Sequence, residues 1–208
     1  MKTKIGLLDT TFLKVVFTLL SIFLIGISCK KEGSAVSTPH TGSLSIFTKQ
    51  VPTSQTFNDN TDGIELGVKF QTTVDGNATG IRFYKTSGNI GTHTAQLYAT
   101  DGTLLASNAF INETDSGWQS VLFDTAVTLA ANTTYVAAYH SSLGNYSVTP
   151  LGLRSPITNL PLSALADGSD GINGLFKFTK TPVLPDSSYL SSNYWVDIIF
   201  VPADRRLY

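Results

Sequence analysis

The stretch Ile64-Glu65-Leu66-Gly67-Val68-Lys69-Phe70 decides the fold. Its apolar residues fall at every second position, so Ile64, Leu66, Val68 and Phe70 share one face, with Glu65, Gly67 and Lys69 on the other. Side chains of an extended chain alternate with period two, and this pattern reads as a strand with one face in a core and the other turned to solvent. Working outward, further runs rich in β-branched and aromatic residues lie at Thr79–Lys85, Thr94–Thr100, Ser120–Phe123, Thr133–His140 and Tyr194–Val201. Turn signals separate them: Asp101-Gly102, Gly88-Asn89 and Leu143-Gly144-Asn145. Asp-Gly between two such runs is a hairpin turn matched to the right-handed twist of strands. No stretch of this region shows sustained helical periodicity. The expected fold is therefore all-β, an antiparallel two-sheet β-sandwich of jelly-roll or carbohydrate-binding-module type.

One region breaks the rhythm. Ser147 to Asn193 holds Pro150, Pro156, Pro161, Pro182 and Pro185 and the cluster Asp167-Gly168-Ser169-Asp170-Gly171, with a short apolar run, Leu175-Phe176-Lys177-Phe178, that reads as a hairpin arm. Long irregular segments inside a compact domain are often binding loops or packed Ω-loops. This is the first place to look for a site; the alternative is a cap over one end of the sandwich.

The chain opens differently. A lysine-bearing start (Lys2, Lys4, Lys14) leads into an apolar run, Val15 to Ile27, shorter than the roughly 20 residues a membrane-spanning helix needs. Cys29, the single cysteine, follows at once in Leu24-Ile25-Gly26-Ile27-Ser28-Cys29. The pattern resembles the lipobox of bacterial lipoproteins, with Gly26 where a larger aliphatic residue is usual. That resemblance implies a signal peptide over 1–28, cleavage before Cys29, acylation of its thiol, and a protein held on the extracytoplasmic side of a bacterial envelope, at the outer membrane or cell surface. An uncleaved anchor or a buried helix with an incidental thiol are the other readings, but the sequence turns polar immediately at Lys30-Lys31-Glu32. Residues 29–43 then read as a flexible spacer, 44–202 as a single β-sandwich domain and 203–208 as a C-terminal tail. With its thiol acylated the exported part would hold no cysteine, which excludes disulfides and cysteine metal sites. A hydrophobic core must then suffice, and a domain of about 150 residues buries about 70% of its unfolded surface. Lys+Arg 14 against Asp+Glu 15 leaves no basic excess to neutralise phosphates, which argues against a nucleic-acid partner.

The order of Glu65-Leu66-Gly67-Val68-Lys69-Phe70, Gly80-Ile81-Arg82-Phe83-Tyr84-Lys85, Gly91-Thr92-His93-Thr94, Leu104-Leu105-Ala106, Glu113-Thr114 with Ser116-Gly117-Trp118-Gln119, Thr133-Thr134-Tyr135-Val136-Ala137, Asn173-Gly174 and Asn193-Tyr194-Trp195-Val196-Asp197 resembles the family called domain of unknown function 4082. The resemblance runs from about Ser45 to Phe200. It implies a β-sandwich module of secreted and surface proteins, often joined to sugar-active or adhesive domains, and assigns no activity. The chain departs from the family pattern at Ala95-Gln96-Leu97-Tyr98 and at Phe178-Thr179.

No Gly-x-Ser-x-Gly elbow, His-Glu-x-x-His pair or phosphate-cradling glycine loop occurs, so no catalytic residue is assigned. His40, His93 and His140 lack metal-ligand spacing, and His93 reads as a residue that orders a turn. Asp59, Asp62, Glu65, Asp115 and Asp197 are carboxylates from which a glycosidase pair would have to come, at a separation sequence does not give. Asp59 and Asp62, in the turn Asn58–Gly63, offer oxygen ligands for a structural calcium ion, without the full EF-hand spacing; no other cofactor is expected. Alternation places Arg82 and Tyr84 outward on one strand, and Trp195 and Asp197 outward on the last. Flat rings with fork-like donors and acceptors suit a sugar surface; the competing reading is an Arg82–Asp197 ion pair covered by rings. The expected function is a lipid-anchored, non-catalytic binding module for polysaccharide. A structural or adhesive protein that binds another surface protein is the alternative, and a glycan-active enzyme the third.

Overall fold

The computed structural model describes residues 42–53, 56–58 and 62–203. These form only strands, turns and irregular segments: β1 (Thr56–Asn58), β2 (Ile64–Thr72), β3 (Gly76–Lys85), β4 (His93–Ala99), β5 (Leu104–Ala109), β6 (Gly117–Leu129), β7 (Tyr135–Ser141), β8 (Asn145–Ser147), β9 (Ile157–Asn159), β10 (Leu162–Ala164), β11 (Leu175–Phe178), β12 (Ser187–Ser188) and β13 (Val196–Pro202). The larger sheet has the order β12-β11-β2-β7-β4-β5, with β10 paired to β2 and β9 to β10; the smaller is β13-β3-β6, and β1 with β8 makes a separate ribbon. All strand pairings are antiparallel. The fold is an all-β sandwich, as the period-two pattern requires.

The core lies between the two sheets. Ile64, Leu66, Val68 and Phe70 are buried there, facing Ile81 and Phe83 of β3 and Val196, Ile198 and Phe200 of β13. At its centre Phe83 stacks on Tyr139 of β7, ring centroids 4.4 Å apart. Each such side chain contributes about 1.5–3 kcal/mol by leaving water.

The second face of β2 departs from expectation, because it is buried as well. Segment 179–186 lies over it: Pro185 sits so close to Gly67 that a Cβ there would approach its ring to 3.1 Å. Leu184 packs onto a satellite cluster of Tyr98, Val136, Ala138 and Leu175. Glu65 is thereby sealed from solvent rather than exposed. The irregular region 147–193 also proves more ordered than its composition implies, since β9, β10, β11 and β12 all fall within it. Strand β11 pairs with Ile64–Gly67 and β10 with Phe70–Thr72, so β2 has two successive partners on one edge. Asn173 fills the seam. Its Oδ1 accepts from Lys69 N (2.7 Å), and its amide donates to Leu165 O (2.7 Å) and to Lys69 O (3.0 Å), which also accepts from Leu165 N (3.0 Å).

Candidate functional site

The four residues expected to face outward do come together, but under cover. Arg82 donates through Nε (3.0 Å) and Nη2 (2.7 Å) to Asp197 Oδ2, and also to Phe47 O. Asp197 is fully buried and accepts in addition from the N–H groups of Ile46 (2.8 Å), Phe47 (3.0 Å) and Ile198 (2.8 Å). Burial pushes its carboxyl up, against the pull of Arg82 and those amides. The Arg82 guanidinium lies 4.2 Å from the Trp118 ring centroid, Phe47 stacks on Trp118 at 6.0 Å, and Tyr84 meets Trp118 edge-on at 5.5 Å. Trp195 is only 6% exposed, packs on Phe47 at 5.3 Å and donates from Nε1 to Thr149 Oγ1 (2.9 Å). Alternation places Arg82 and Tyr84 together on β3, whereas Trp195 stands outside β13 at positive φ (57°) and joins this cluster without being part of the strand's alternation. What alternation lacked was Ile46-Phe47, a segment that crosses the outer face and turns a solvent-facing set into a covered ion pair.

Other sequence candidates separate. Cys29 and Asp59 lie outside the described residues. Asp62 is exposed and forms an ion pair with Lys180 (2.7 Å), whose hydrogen bond and charge hold the carboxyl below its usual range. Among the described residues no three His, Cys, Asp or Glu side chains gather as metal ligands. His93 does order a turn: its Nε2 meets Asn89 Oδ1 (2.9 Å) and its Nδ1 meets Glu113 (2.9 Å), which also binds Lys85 (2.8 Å). Burial against Phe83 depresses the affinity of the imidazole for a second proton, despite the facing carboxylate.

The open site lies elsewhere, at the edge of the region that broke the rhythm. A trough of about 260 Å³ is lined by Phe57, Tyr146, Phe176, Phe178, Tyr189 and Tyr194, completed by Val148, Pro150 and Ser192. Its walls follow from pairing. Antiparallel pairing of β1 with β8 sets Phe57 opposite Tyr146, and their rings lie 6.2 Å apart and within 22° of parallel. Period two along β11 puts Phe176 and Phe178 on one side with Lys177 on the other, and the two rings meet edge-on at 5.5 Å. Tyr194 stands between these walls, edge-on to Tyr146 (5.6 Å) and to Phe176 (6.4 Å). Exposure rises from floor to rim: 5% at Tyr194, 41% at Phe57, 52% at Phe178 and 63% at Tyr189.

The segment that carries Tyr189, Ser192 and Tyr194 is strained. Leu190, Ser191 and Trp195 all adopt positive φ (50°, 46° and 57°), a conformation costing a non-glycine residue of order 1–2 kcal/mol. Surrounding bonds hold it in place. Leu151 N donates to Leu190 O (2.9 Å), Leu153 N to Ser191 O (2.8 Å), and Thr149 and Asn193 exchange both backbone bonds (2.9 and 3.0 Å). The Ser191 hydroxyl donates to Asp167 Oδ2 (2.7 Å), whose other oxygen accepts from Asn173 N (2.8 Å), and these bonds hold the Asp167 carboxyl below its usual range. Gly174, at φ 69°, lets the chain pass so close that a Cβ would stand 2.1 Å from Ser192 O. The Asn173-Gly174 motif thus joins the edge of β2 to the trough. Strain fixed this firmly is a mark of preorganised sites.

Sequence reasoning pointed to the region but missed the residues. The available signal was aromatic density: Phe176, Phe178, Tyr189 and Tyr194 crowd a segment otherwise rich in proline, serine and glycine.

These features define a β-sandwich module with a ring-lined trough on one edge. The chain belongs to the family described as domain of unknown function DUF4082, whose model matches residues 49–196. No curated protein matches it.

Proposed function

We propose that the domain is a non-catalytic carbohydrate-binding module, held by acylated Cys29 on the extracytoplasmic face of a bacterial envelope. The observation that carries the binding reading is the trough itself. Six aromatic rings converge there on a preorganised segment, and rings cover the apolar C–H faces of sugars while tyrosine hydroxyls and the open mouth leave polar groups hydrated. Of its nine lining residues none is a carboxylate, so the acid–base pair of a glycosidase does not stand at this trough. The sugar surface expected from Arg82, Tyr84, Trp195 and Asp197 is moved accordingly, because Asp197 is fully buried, Trp195 is only 6% exposed, and the partly exposed Arg82 reaches a hollow lined by no aromatic ring. Binding of the full chain to an array of immobilised glycans tests the reading, alongside Tyr189→Ala and Phe57→Ala. Rim rings contribute about 0.5–1.5 kcal/mol each beyond the area they bury, so either variant should weaken retained glycans several-fold without unfolding. An array with no retained glycan would overturn the reading.

A further inference from the structure

Arg82 reaches a second hollow that shares no residue with the trough. It measures about 460 Å³ and is lined by Ser43, Leu44, Ser45, Thr48, Arg82 and Asn159, so Leu44 apart its lining is polar. The volume falls within the roughly 300–1,000 Å³ of small-molecule sites. A guanidinium carries five N–H donors. Here Nε donates to Asp197 Oδ2, and Nη2 donates to Asp197 Oδ2 and to Phe47 O, which leaves both donors of Nη1 without a partner among the described residues. The hydroxyls of Ser43, Ser45 and Thr48 likewise engage no neighbour among the described residues. The guanidinium is also held still. Trp118 covers one of its faces at 4.2 Å and Asp197 fixes one edge, so a ligand that meets it has little left to order. Asp197 does not cancel its charge at the hollow. That carboxylate is fully buried and accepts from Ile46 N, Phe47 N and Ile198 N as well, so it shares its negative charge among three amides and the guanidinium. It sits against Nε and Nη2, so an anion at Nη1 stands nearer to the guanidinium than to the carboxylate, and the nearer charge dominates.

We propose that this hollow binds an oxyanion, a carboxylate or sulfate group on its ligand, with Arg82 Nη1 as the charged donor and the hydroxyls of Ser43, Ser45 and Thr48 donating beside it. Charge-assisted hydrogen bonds from a fixed guanidinium are the strong ones, and hydroxyls rotate to suit the acceptor they meet. The site stands apart from the trough and does not rest on the carbohydrate reading above.

Titration of the full chain with sodium sulfate and with sodium acetate, against sodium chloride at equal ionic strength, tests it. Binding is read by NMR at the Arg82 Nε–H and at the backbone amides of Ser43, Ser45 and Thr48, whose resonances should shift and saturate. Two variants locate the site. Thr48→Glu brings a carboxylate to the hollow, and because Thr48 is exposed it leaves the fold intact. Arg82→Lys keeps a cation for Asp197 and removes Nη1. A urea titration verifies that each is folded, and each should weaken saturation at least about tenfold. Whichever of sulfate and acetate saturates at the lower concentration identifies the group the hollow takes, and either result supports the site. Shifts that rise without saturating, or that chloride reproduces, mean an adventitious ion only and overturn it. Saturation left unchanged by Thr48→Glu or by folded Arg82→Lys overturns the assignment to this hollow; should Arg82→Lys fail to fold, Thr48→Glu alone decides.

Discussion

Glu65→Gln should make this protein more stable in mild alkali and leave it unchanged in acid. Glu65 is sealed from solvent, and among the described residues it makes no ion pair. With the Gln96 amide oriented to satisfy all its neighbours, its nitrogen donates to Glu65 Oε1 and to Thr94 O, both at 2.9 Å, and its oxygen accepts from the Thr94 hydroxyl at 2.7 Å. Among the described residues Glu65 Oε2 has no hydrogen-bond partner. Burial accordingly pushes the carboxyl up to about 9 from 4.5. The sign follows from linkage. Below 4.5 both folded and unfolded states hold the proton and the full stability is present; between 4.5 and 9 only the unfolded state releases it, so stability falls as pH rises. One unit of separation corresponds to about 1.4 kcal/mol, which bounds the loss by pH 8 at about 5 kcal/mol if the site stays dry. Water reaching the carboxylate reduces this to roughly 2–3 kcal/mol. That is a large part of the 5–15 kcal/mol typical of a domain. Glutamine keeps the shape and the acceptor for Gln96 and cannot ionise. Urea unfolding of both proteins at pH 4 and pH 8 reads the effect: equal midpoints at pH 4, and at pH 8 a midpoint higher in the variant by about 1 M for a slope of about 2 kcal/mol/M. A difference between the two proteins that does not change with pH would refute the reasoning.

Three further outcomes follow from the geometry. Trp195→Ala should destabilise the domain by about 3–5 kcal/mol in a urea titration, because it removes a buried ring from Phe47 and the bond to Thr149; a loss below about 1 kcal/mol would return Trp195 to the role of a surface residue. Gly174→Ala places a Cβ 2.1 Å from Ser192 O at φ 69°, so it should lower the thermal midpoint and weaken whatever glycan the trough retains, whereas unchanged affinity would sever the trough from the Asn173-Gly174 turn. Cys29→Ser should abolish incorporation of a labelled fatty acid, since only a thiol accepts the diacylglyceryl group; label surviving in the variant would reject the anchor.

The sandwich was legible because strand periodicity is local. Every strand expected from period two is present; β1, β5 and β8 were not among the expected runs, and the ends differ, since β6 extends to Gly117–Leu129 beyond the expected Ser120–Phe123 and β13 starts at Val196 because Trp195 is held at positive φ. Facing was less legible, for a physical reason. Alternation tells which residues share a face but not what crosses that face, and here two irregular segments do so. Ile46-Phe47 covers Arg82 and Asp197, and 179–186 covers Glu65 and Gly67. Neither segment has periodicity of its own. The family motifs carry the same lesson, since Gly-Thr-His and Asn-Gly prove to be joints in this structure, His93 tying Asn89 to Glu113 and Asn173 closing the edge of β2.

The trough was hidden for a different reason. Its rings come from β1, β8, β11 and the approach to β13, four pieces whose successive rings only the tertiary fold brings within 7 Å. What sequence does hold is a conflict. Leu190, Ser191 and Trp195 are residues with no local preference for positive φ, yet the fold imposes it on all three within a short stretch, while the other strands obey their propensities. A sandwich edge needs no such strain to be stable, and a glycine at any of these positions would relieve it. The strain is tied down by Asp167, Thr149, Leu151 and Leu153, and the side chains it aims are Tyr189, Ser192 and Tyr194. The departure from local preference therefore falls where the open aromatic surface is, and that coincidence favours a ligand in the trough over a cap on the end of the sandwich.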